Sequence, residues 1–306
     1  MCPVDLTTNI AGITLRNPVL TCSGTYGFGE EYAAYCPVEA LGGITLKGLT
    51  PKPRLGNAVP RLAETPAGLL NAVGLENPGL EEFIKSYLPR VRKLPTAVIA
   101  NVSGFSLEDY VQMARALQRE SGLAALEVNI SCPNVKHGGM HFGTDPKSAE
   151  EVIAAVKAET DLPIIAKLSP NVTDIVGMAK AVQRGGADAL SLINTLLGMR
   201  IDIDQQRPVL ANTFGGLSGP AIRPVAVRMV WQVAQASDLP IIGMGGITTW
   251  QDAVEFLLAG ATAVSIGTGN FVNPQAPLEI LQGIEKYCTD RGFASVRELV
   301  GMAHKA

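Results

Sequence analysis

The sequence predicts an α/β chain folded as a (β/α)8 TIM barrel, with a short N-terminal β-hairpin and insertions after strands two, four and six. Three observations carry this expectation. First, a doublet recurs three times: 94–101 with 123–129, 162–167 with 186–194, and 239–246 with 260–267. Each is a Leu-Pro-initiated apolar strand, a helical stretch, and a small-residue turn into a second strand. Second, apolar segments at 18–24 and 43–48 bring the strand count to eight. Third, the runs are short and rich in Ile and Val, as parallel strands buried on both faces are. An open doubly wound sheet is the alternative, and the missing early G-x-G-x-x-G counts against it. The 306 residues could hold two average domains. Barrels commonly reach about 250 residues or more as one unit, so a single catalytic domain over 1–306 is expected.

In chain order, Val4-Asp5-Leu6 and Gly12-Ile13-Thr14-Leu15 read as the two arms of the hairpin. Strand one, 18–24, leads through a Gly-rich loop to a helix near 30–39, and strand two follows at 43–48. Residues 50–78 form a long connection with few periodic features, interrupted by Pro51, Pro53, Pro60 and Pro66. Long ordered connections of this kind are usually lids or binding loops. Helix two is expected over about 79–93. Ser106, followed by Glu108 and Asp109, is an N-cap signal, and Asp145-Pro146 pairs an N-cap with Pro at the first helical position. A second long insertion lies between Leu196 and Gly219, after strand six. Both excursions fall on the side where strands end and barrel sites are built.

Composition narrows the function classes. Charged residues are 17% and hydrophobic ones 47%, which points to a large buried core rather than disorder. A net charge of −3 offers no electrostatic case for nucleic acid or an anionic membrane. The cysteines Cys2, Cys22, Cys36, Cys132 and Cys288 are dispersed with no C-x-x-C pair, so neither a disulfide framework nor a metal site is indicated. The N-terminus lacks a basic and an apolar leader region, and no apolar run nears the ~18 residues of a membrane span. A cytoplasmic protein is expected.

The candidate site is the set of strand ends. Strand two ends in Lys47, strand three in Asn101, strand four in Asn129 with Cys132 just beyond, strand five in Lys167 and strand six in Asn194-Thr195. Taken singly, an Asn there is often a turn residue and a Lys often snorkels to solvent. Two lysines, three asparagines and a cysteine gathered at the exits of one barrel point to a ligand. Strands seven and eight end in Gly245-Gly246 and Gly267-Thr268-Gly269. Barrels frequently bind phosphate after strands seven and eight, where bare backbone N–H groups close on the anion. That implies a phosphorylated substrate or a flavin mononucleotide. Lys167 suits the flavin, as a cation near the pyrimidine edge of the ring, or equally a Schiff-base lysine of a lyase.

Ser23-Gly24, Lys47-Gly48, Asn71-Ala72-Val73-Gly74-Leu75, Asn129-Ile130-Ser131-Cys132-Pro133-Asn134, Lys167, Asn194-Thr195, Gly245-Gly246 and Gly267-Thr268 together resemble the dihydroorotate dehydrogenases, flavin enzymes of pyrimidine synthesis. The match keeps motif order over nearly the whole chain. Ser-Cys-Pro-Asn is similar to the soluble class, whose base is Cys; the membrane-associated class uses Ser and carries an N-terminal extension not seen here. Residues 71–79 and 135–139 are similar to the NAD-linked branch rather than the fumarate-linked one. The resemblance implies FMN in this chain and an electron-transfer subunit carrying FAD and a 2Fe–2S cluster, in a heterotetramer of two plus two around a homodimer core. This chain has neither a cysteine cluster nor a dinucleotide fingerprint of its own for those groups.

The same resemblance assigns roles. Cys132 takes the C5 proton of dihydroorotate while the C6 hydride leaves, which asks for a thiolate. Lys47 pairs with the substrate carboxylate or shapes the edge shared by flavin and substrate. Asn71, Ala72, Val73, Gly74 and Leu75, with Asn129, Asn194 and Thr195, bind the substrate. Side-chain amides offer the ring both donors and acceptors. Asn101, Asn129, Lys167 and Ile193 line the flavin, and the backbones of Ser23, Gly48, Gly219, Gly245, Gly246, Gly267 and Thr268 complete its site. The Cys132 loop is expected to act as a lid. His137 and His141 are read as belonging to the loop beyond it. Another FMN-dependent pyrimidine oxidoreductase, a Schiff-base lyase and a non-catalytic phosphate-binding module are the rivals.

Overall fold

The structure is a computed structural model, and it describes residues 3–131 and 142–305. Cys132, Pro133, Asn134, His137 and His141 lie outside the described residues. Among the described residues there are sixteen short strands, β1 to β16 in chain order. Eight of them, β3 (Val19–Thr21), β4 (Gly43–Thr45), β7 (Ala97–Val102), β8 (Ala125–Asn129), β9 (Ile164–Lys167), β10 (Ala189–Leu192), β15 (Ile241–Met244) and β16 (Ala263–Ile266), are parallel and close into a barrel in that order. Closure is made by β16 on β3, with Ser265 opposite Leu20. Each of the eight sequence segments covers one of these strands, β7 running one residue beyond its segment to Val102.

Alternation along each strand sorts the barrel into two cores. Inward residues Leu20, Ile99, Ala125, Ile165, Ala189, Ile242 and Ala263 pack on one another in the lower part of the interior. Outward residues, among them Val98, Leu126, Ile164, Leu190 and Val264, pack against the surrounding helices. The helices start where the sequence places them. Ser106 accepts from Asp109 N–H at 3.2 Å to cap Leu107–Leu117, and Asp145 accepts from Ser148 N–H at 2.8 Å to cap Pro146–Lys157.

The hairpin plugs the bottom of the barrel, with Ile10 and Leu15 joining the interior core. Its arms are β1 (Thr8–Ile10) and β2 (Ile13–Leu15), so the first arm is 8–10 and not the expected 4–6. The turn decides this. Ala11 and Gly12 have φ of 53° and 84°, the two-residue turn whose twist suits a hairpin, and it places Ile10 opposite Ile13. Asp5 instead bridges to the C-terminal segment, donating its N–H to Ala294 and accepting from Val296 N–H, both at 2.9 Å.

Two further expectations are corrected. The helix near 30–39 is a series of turns ending in a 3-10 turn at Val38–Ala40. Pro37 disfavours a helical residue before it, and Glu31 spends its carboxylate on the N–H groups of Phe28 and Glu30. The connection at 50–78 contains regular structure, β5 (Leu62–Thr65) and β6 (Gly68–Asn71). The insertion after strand six contributes β11 (Leu196–Gly198) and β14 (Gly215–Ser218), plus a small hairpin of β12 (Ile201–Asp202) and β13 (Arg207–Pro208). Strands β11, β14, β6 and β5 form one antiparallel sheet with its own core of Ala63, Leu70, Ala72 and Leu210. The helix expected at 79–93 is present as Leu80–Glu82, a π turn at Phe83–Tyr87, and Leu88–Val91. The widened turn accommodates Pro89, which cannot donate to the helix and would crowd the preceding turn.

Candidate active site

Above the apolar layers the inward positions turn polar, and this change of character marks the site. Asn101 on β7, Glu127 on β8, Lys167 on β9 and Ser191 on β10 are all at most 5% exposed. Glu127 Oε1 accepts from Asn101 Nδ2 at 2.6 Å and from Lys167 Nζ at 3.3 Å, and its Oε2 accepts from Ser191 Oγ at 2.8 Å. A carboxylate with three donors is what burial of such a charge requires. Asn101 Oδ1 is left buried with no partner among the described residues.

A second polar chain runs across the strand ends. Asn194 Nδ2 donates to Asn129 Oδ1 at 3.3 Å, and Asn129 Nδ2 donates to Ser103 Oγ at 3.2 Å. Tyr110 donates its hydroxyl to the Asn129 carbonyl at 2.9 Å, holding the end of β8. Ser131 Oγ donates to the Lys167 carbonyl at 3.0 Å, tying the exit of β8 to β9. Asn171 holds the exit of β10. Its Nδ2 donates to the Thr195 carbonyl at 3.0 Å, and its Oδ1 accepts from Leu197 N–H at 2.8 Å.

These groups open onto a cavity of ≈ 330 Å³ at the C-terminal ends of the strands. Its lining includes Lys47, Gly48, Asn101, Asn129 and Lys167, together with Ile193, Asn194 and Thr195. Residues Asn71, Ala72, Val73, Gly74 and Leu75 cover it from β6 onward. Ser23, Gly219, Gly245, Gly246, Gly267 and Thr268 form one end. Every residue singled out for the site in the sequence therefore lines one cavity, apart from Cys132, which is not described.

Burial shapes the titratable groups. Burial pushes the Lys47 ammonium below its ordinary value, opposed by the carboxylate of Glu76. Burial pushes the Cys22 thiol up, with Lys167 opposing, so this cavity cysteine is held as a neutral thiol. At the glycine-rich end Gly219, Gly245 and Gly246 have φ of 94°, 125° and 79°. A Cβ on Gly246 would come within 2.8 Å of the Gly219 carbonyl oxygen, so the backbone itself forms this wall. The nearby Arg223 is occupied by Asp252 and by Glu255. An anion here would be met by backbone N–H groups more than by that side chain.

Sequence reasoning passed over Glu127, Ser191, Ser103 and Asn171. Glu127 did leave a signal. It lies two residues before Asn129 in an apolar strand, so the period of two puts both on the same inward face.

A closed parallel barrel with a polar, glycine-rimmed cavity at its strand ends is the architecture of a barrel enzyme. The family model for dihydroorotate dehydrogenase matches residues 5–288, and the chain belongs to that family. It is similar to "Dihydroorotate dehydrogenase B (NAD(+)), catalytic subunit" of Desulforamulus reducens, at 56% identity over 301 residues covering 98% of this chain and 99% of the relative. The protein of the same description from Geobacter sulfurreducens is 56% identical over 297 residues, covering 97% of each chain. The protein is thus an oxidoreductase of dihydroorotate oxidation in pyrimidine synthesis.

Proposed function

We propose that this chain oxidises dihydroorotate to orotate using flavin mononucleotide bound in the barrel mouth, and that the electrons leave to NAD through a partner subunit. The observation that carries the proposal is that residues from Ser23 to Thr268, spread over the exits of the barrel strands, line one cavity together with the cover at 71–75. The residues present fit the cofactor. Asn101 Oδ1 is a buried acceptor lacking a donor among the described residues, and a flavin ring carries an N–H to give it. Side chains are absent from the phosphate end at Gly219, Gly245, Gly246 and Gly267, and Ser23 and Thr268 flank it.

Bound flavin supplies the two-electron acceptor for the hydride leaving C6. The chain's own part is to bind, orient and move the proton. Lys47 is placed to meet the substrate carboxylate, and its lowered proton affinity in the free protein is restored when an anion arrives. The amides of Asn71, Asn129 and Asn194, with Thr195, match the ring's donors and acceptors, and the bonds among Asn129, Asn194 and Ser103 pre-set their orientation. The proposed base, Cys132, is next in sequence after Ser131 and takes the C5 proton as a thiolate.

Both relatives are described as catalytic subunits of NAD(+) enzymes, which supports an electron-transfer partner. The five dispersed cysteines leave the FAD and 2Fe–2S cluster to that partner, and a two-plus-two assembly on a homodimer core is the proposed form. Among the described residues no helix is long and apolar enough to cross a membrane. The barrel takes its strands from Val19 to Ile266, which supports one catalytic domain. In the deciding experiment, protein reconstituted with FMN receives dihydroorotate without oxygen. The flavin absorbance bleaches and orotate appears in equal amount; a yellow protein that does not bleach sinks the proposal. Co-purification of an FAD and iron–sulfur subunit tests the partner.

A further inference from the structure

We propose that Glu127 is a positioning residue of the cofactor site. Its carboxylate sets which way the Asn101 amide faces and anchors the Lys167 ammonium where it lines the cavity. The proposal rests on the flavin reading of the cavity.

Glu127 is 1% exposed and lies below the cavity rather than in its lining. A buried ion pair is a weak device for stability, because apolar residues of similar volume often serve as well. The lower barrel interior is filled by such residues, with Ala125 two positions earlier on the same strand. The carboxylate is instead placed where three polar side chains converge from β7, β9 and β10.

Its chemistry restricts its neighbours. A carboxylate only accepts, so Asn101 must turn its Nδ2 toward Glu127, at 2.6 Å. Asn101 Oδ1 then faces the other way, without a partner among the described residues. It points at Gly48, where an added Cβ would stand 2.7 Å from it, and both residues line the cavity. The floor therefore presents an acceptor, and an N–H of the ligand ring is the group it takes. Lys167 spends one donor on Glu127 at 3.3 Å and keeps two. Pairing confines this buried side chain. It also offsets part of the pull that the cation exerts on electrons entering the ring.

Replacing Glu127 by Gln keeps the shape and removes the charge. Gln both donates and accepts, so the Asn101 amide is free to turn over, and the Lys167 cation is no longer compensated. The expected result for Glu127→Gln holoprotein is FMN retained with weaker affinity and a midpoint potential moved to the positive side of wild type. A potential and FMN affinity equal to wild type overturn the proposal. Should Glu127→Gln fail to fold, the comparison is made in a Lys167→Met background, where no cation is left unpaired. There the Glu127→Gln/Lys167→Met protein is expected at a more positive potential than Lys167→Met alone, and equality overturns the proposal. A wild-type protein that takes up no FMN is the distinct result that removes the flavin reading itself.

Discussion

Asn71 of β6 and Gly216 of β14 stand opposite one another, with Asn71 Nδ2 donating to the Gly216 carbonyl at 3.3 Å. This pair zips together two insertions that leave the barrel after different strands. The result is a sheet above the cavity with Asn71, Thr195 and Gly216 in its lining. Gly216 has no room for a side chain: a Cβ there would fall 2.1 Å from Thr195 Oγ1. Gly216→Ala must therefore displace Thr195, at a cost of about 1–3 kcal/mol typical of overpacking. The expected outcome is a KM for dihydroorotate raised by on the order of tenfold, at an FMN content equal to wild type. Steady-state kinetics on the holoprotein measures it, and an unchanged KM argues against Thr195 as a substrate contact.

Lys47 predicts an alkaline limb. Burial lowers its proton affinity, so in the free protein it loses its charge below the ordinary 10.5. A lysine lowered on folding costs stability while it is charged, and the cost is relieved as pH rises through its lowered value toward 10.5. Substrate binding has the opposite sign, because the carboxylate needs the cation. KM is expected to climb at alkaline pH from below 10.5, and Lys47→Met to show a high KM without that limb. A KM profile for Lys47→Met that parallels wild type refutes the pairing.

For Cys132 the expected signature is chemical. Cys132→Ala retains the yellow cofactor and loses most dihydroorotate oxidation at neutral pH. General acid–base groups contribute about 10²–10⁴-fold. Cys132→Ser regains part of the activity only at higher pH, since a hydroxyl gives up its proton far less readily than a thiol near 8.5. Rapid-reaction measurement of flavin reduction isolates the step. Turnover of Cys132→Ala near wild type assigns the base elsewhere.

The phosphate end is tested at Gly246. Its φ of 79° is left-handed, and an added Cβ meets both the Gly219 carbonyl oxygen and Arg223 Cβ at 2.8 Å. Gly246→Ala strains the backbone by about 1–2 kcal/mol and moves the wall. FMN affinity, read from quenching of flavin fluorescence on binding, is expected to fall at least about tenfold. An equal affinity shows that the phosphate lies elsewhere.

How much of this was legible in the sequence differs by residue. The barrel was readable because each strand is a short apolar run, and all but the first are entered through Leu-Pro or a small-residue turn. Lys47, Asn101, Asn129 and Lys167 were readable because they break those runs at their ends. Residues 62–71 were passed over because Gly68 and the exposed Leu62 blur the alternation. The stretch at 30–39 misled because its composition is compatible with a helix, while Pro37 and the Glu31 bonds hold turns. Glu127 was taken for part of strand four, since one polar residue inside a strand announces its facing only once the barrel's inside is defined.

By itself the sequence determined the eight strands, their order and the polar groups at their exits, because these follow from local periodicity and turn chemistry. Only the tertiary structure decided that the two insertions form one sheet over the cavity. β6 and β14 are paired by backbone bonds between segments 145 residues apart, at Asn71 and Gly216, and no local signal encodes that pairing. It likewise decided that Asn101, Glu127, Lys167 and Ser191 meet. Four strands must curve round one axis before their inward faces share a single carboxylate.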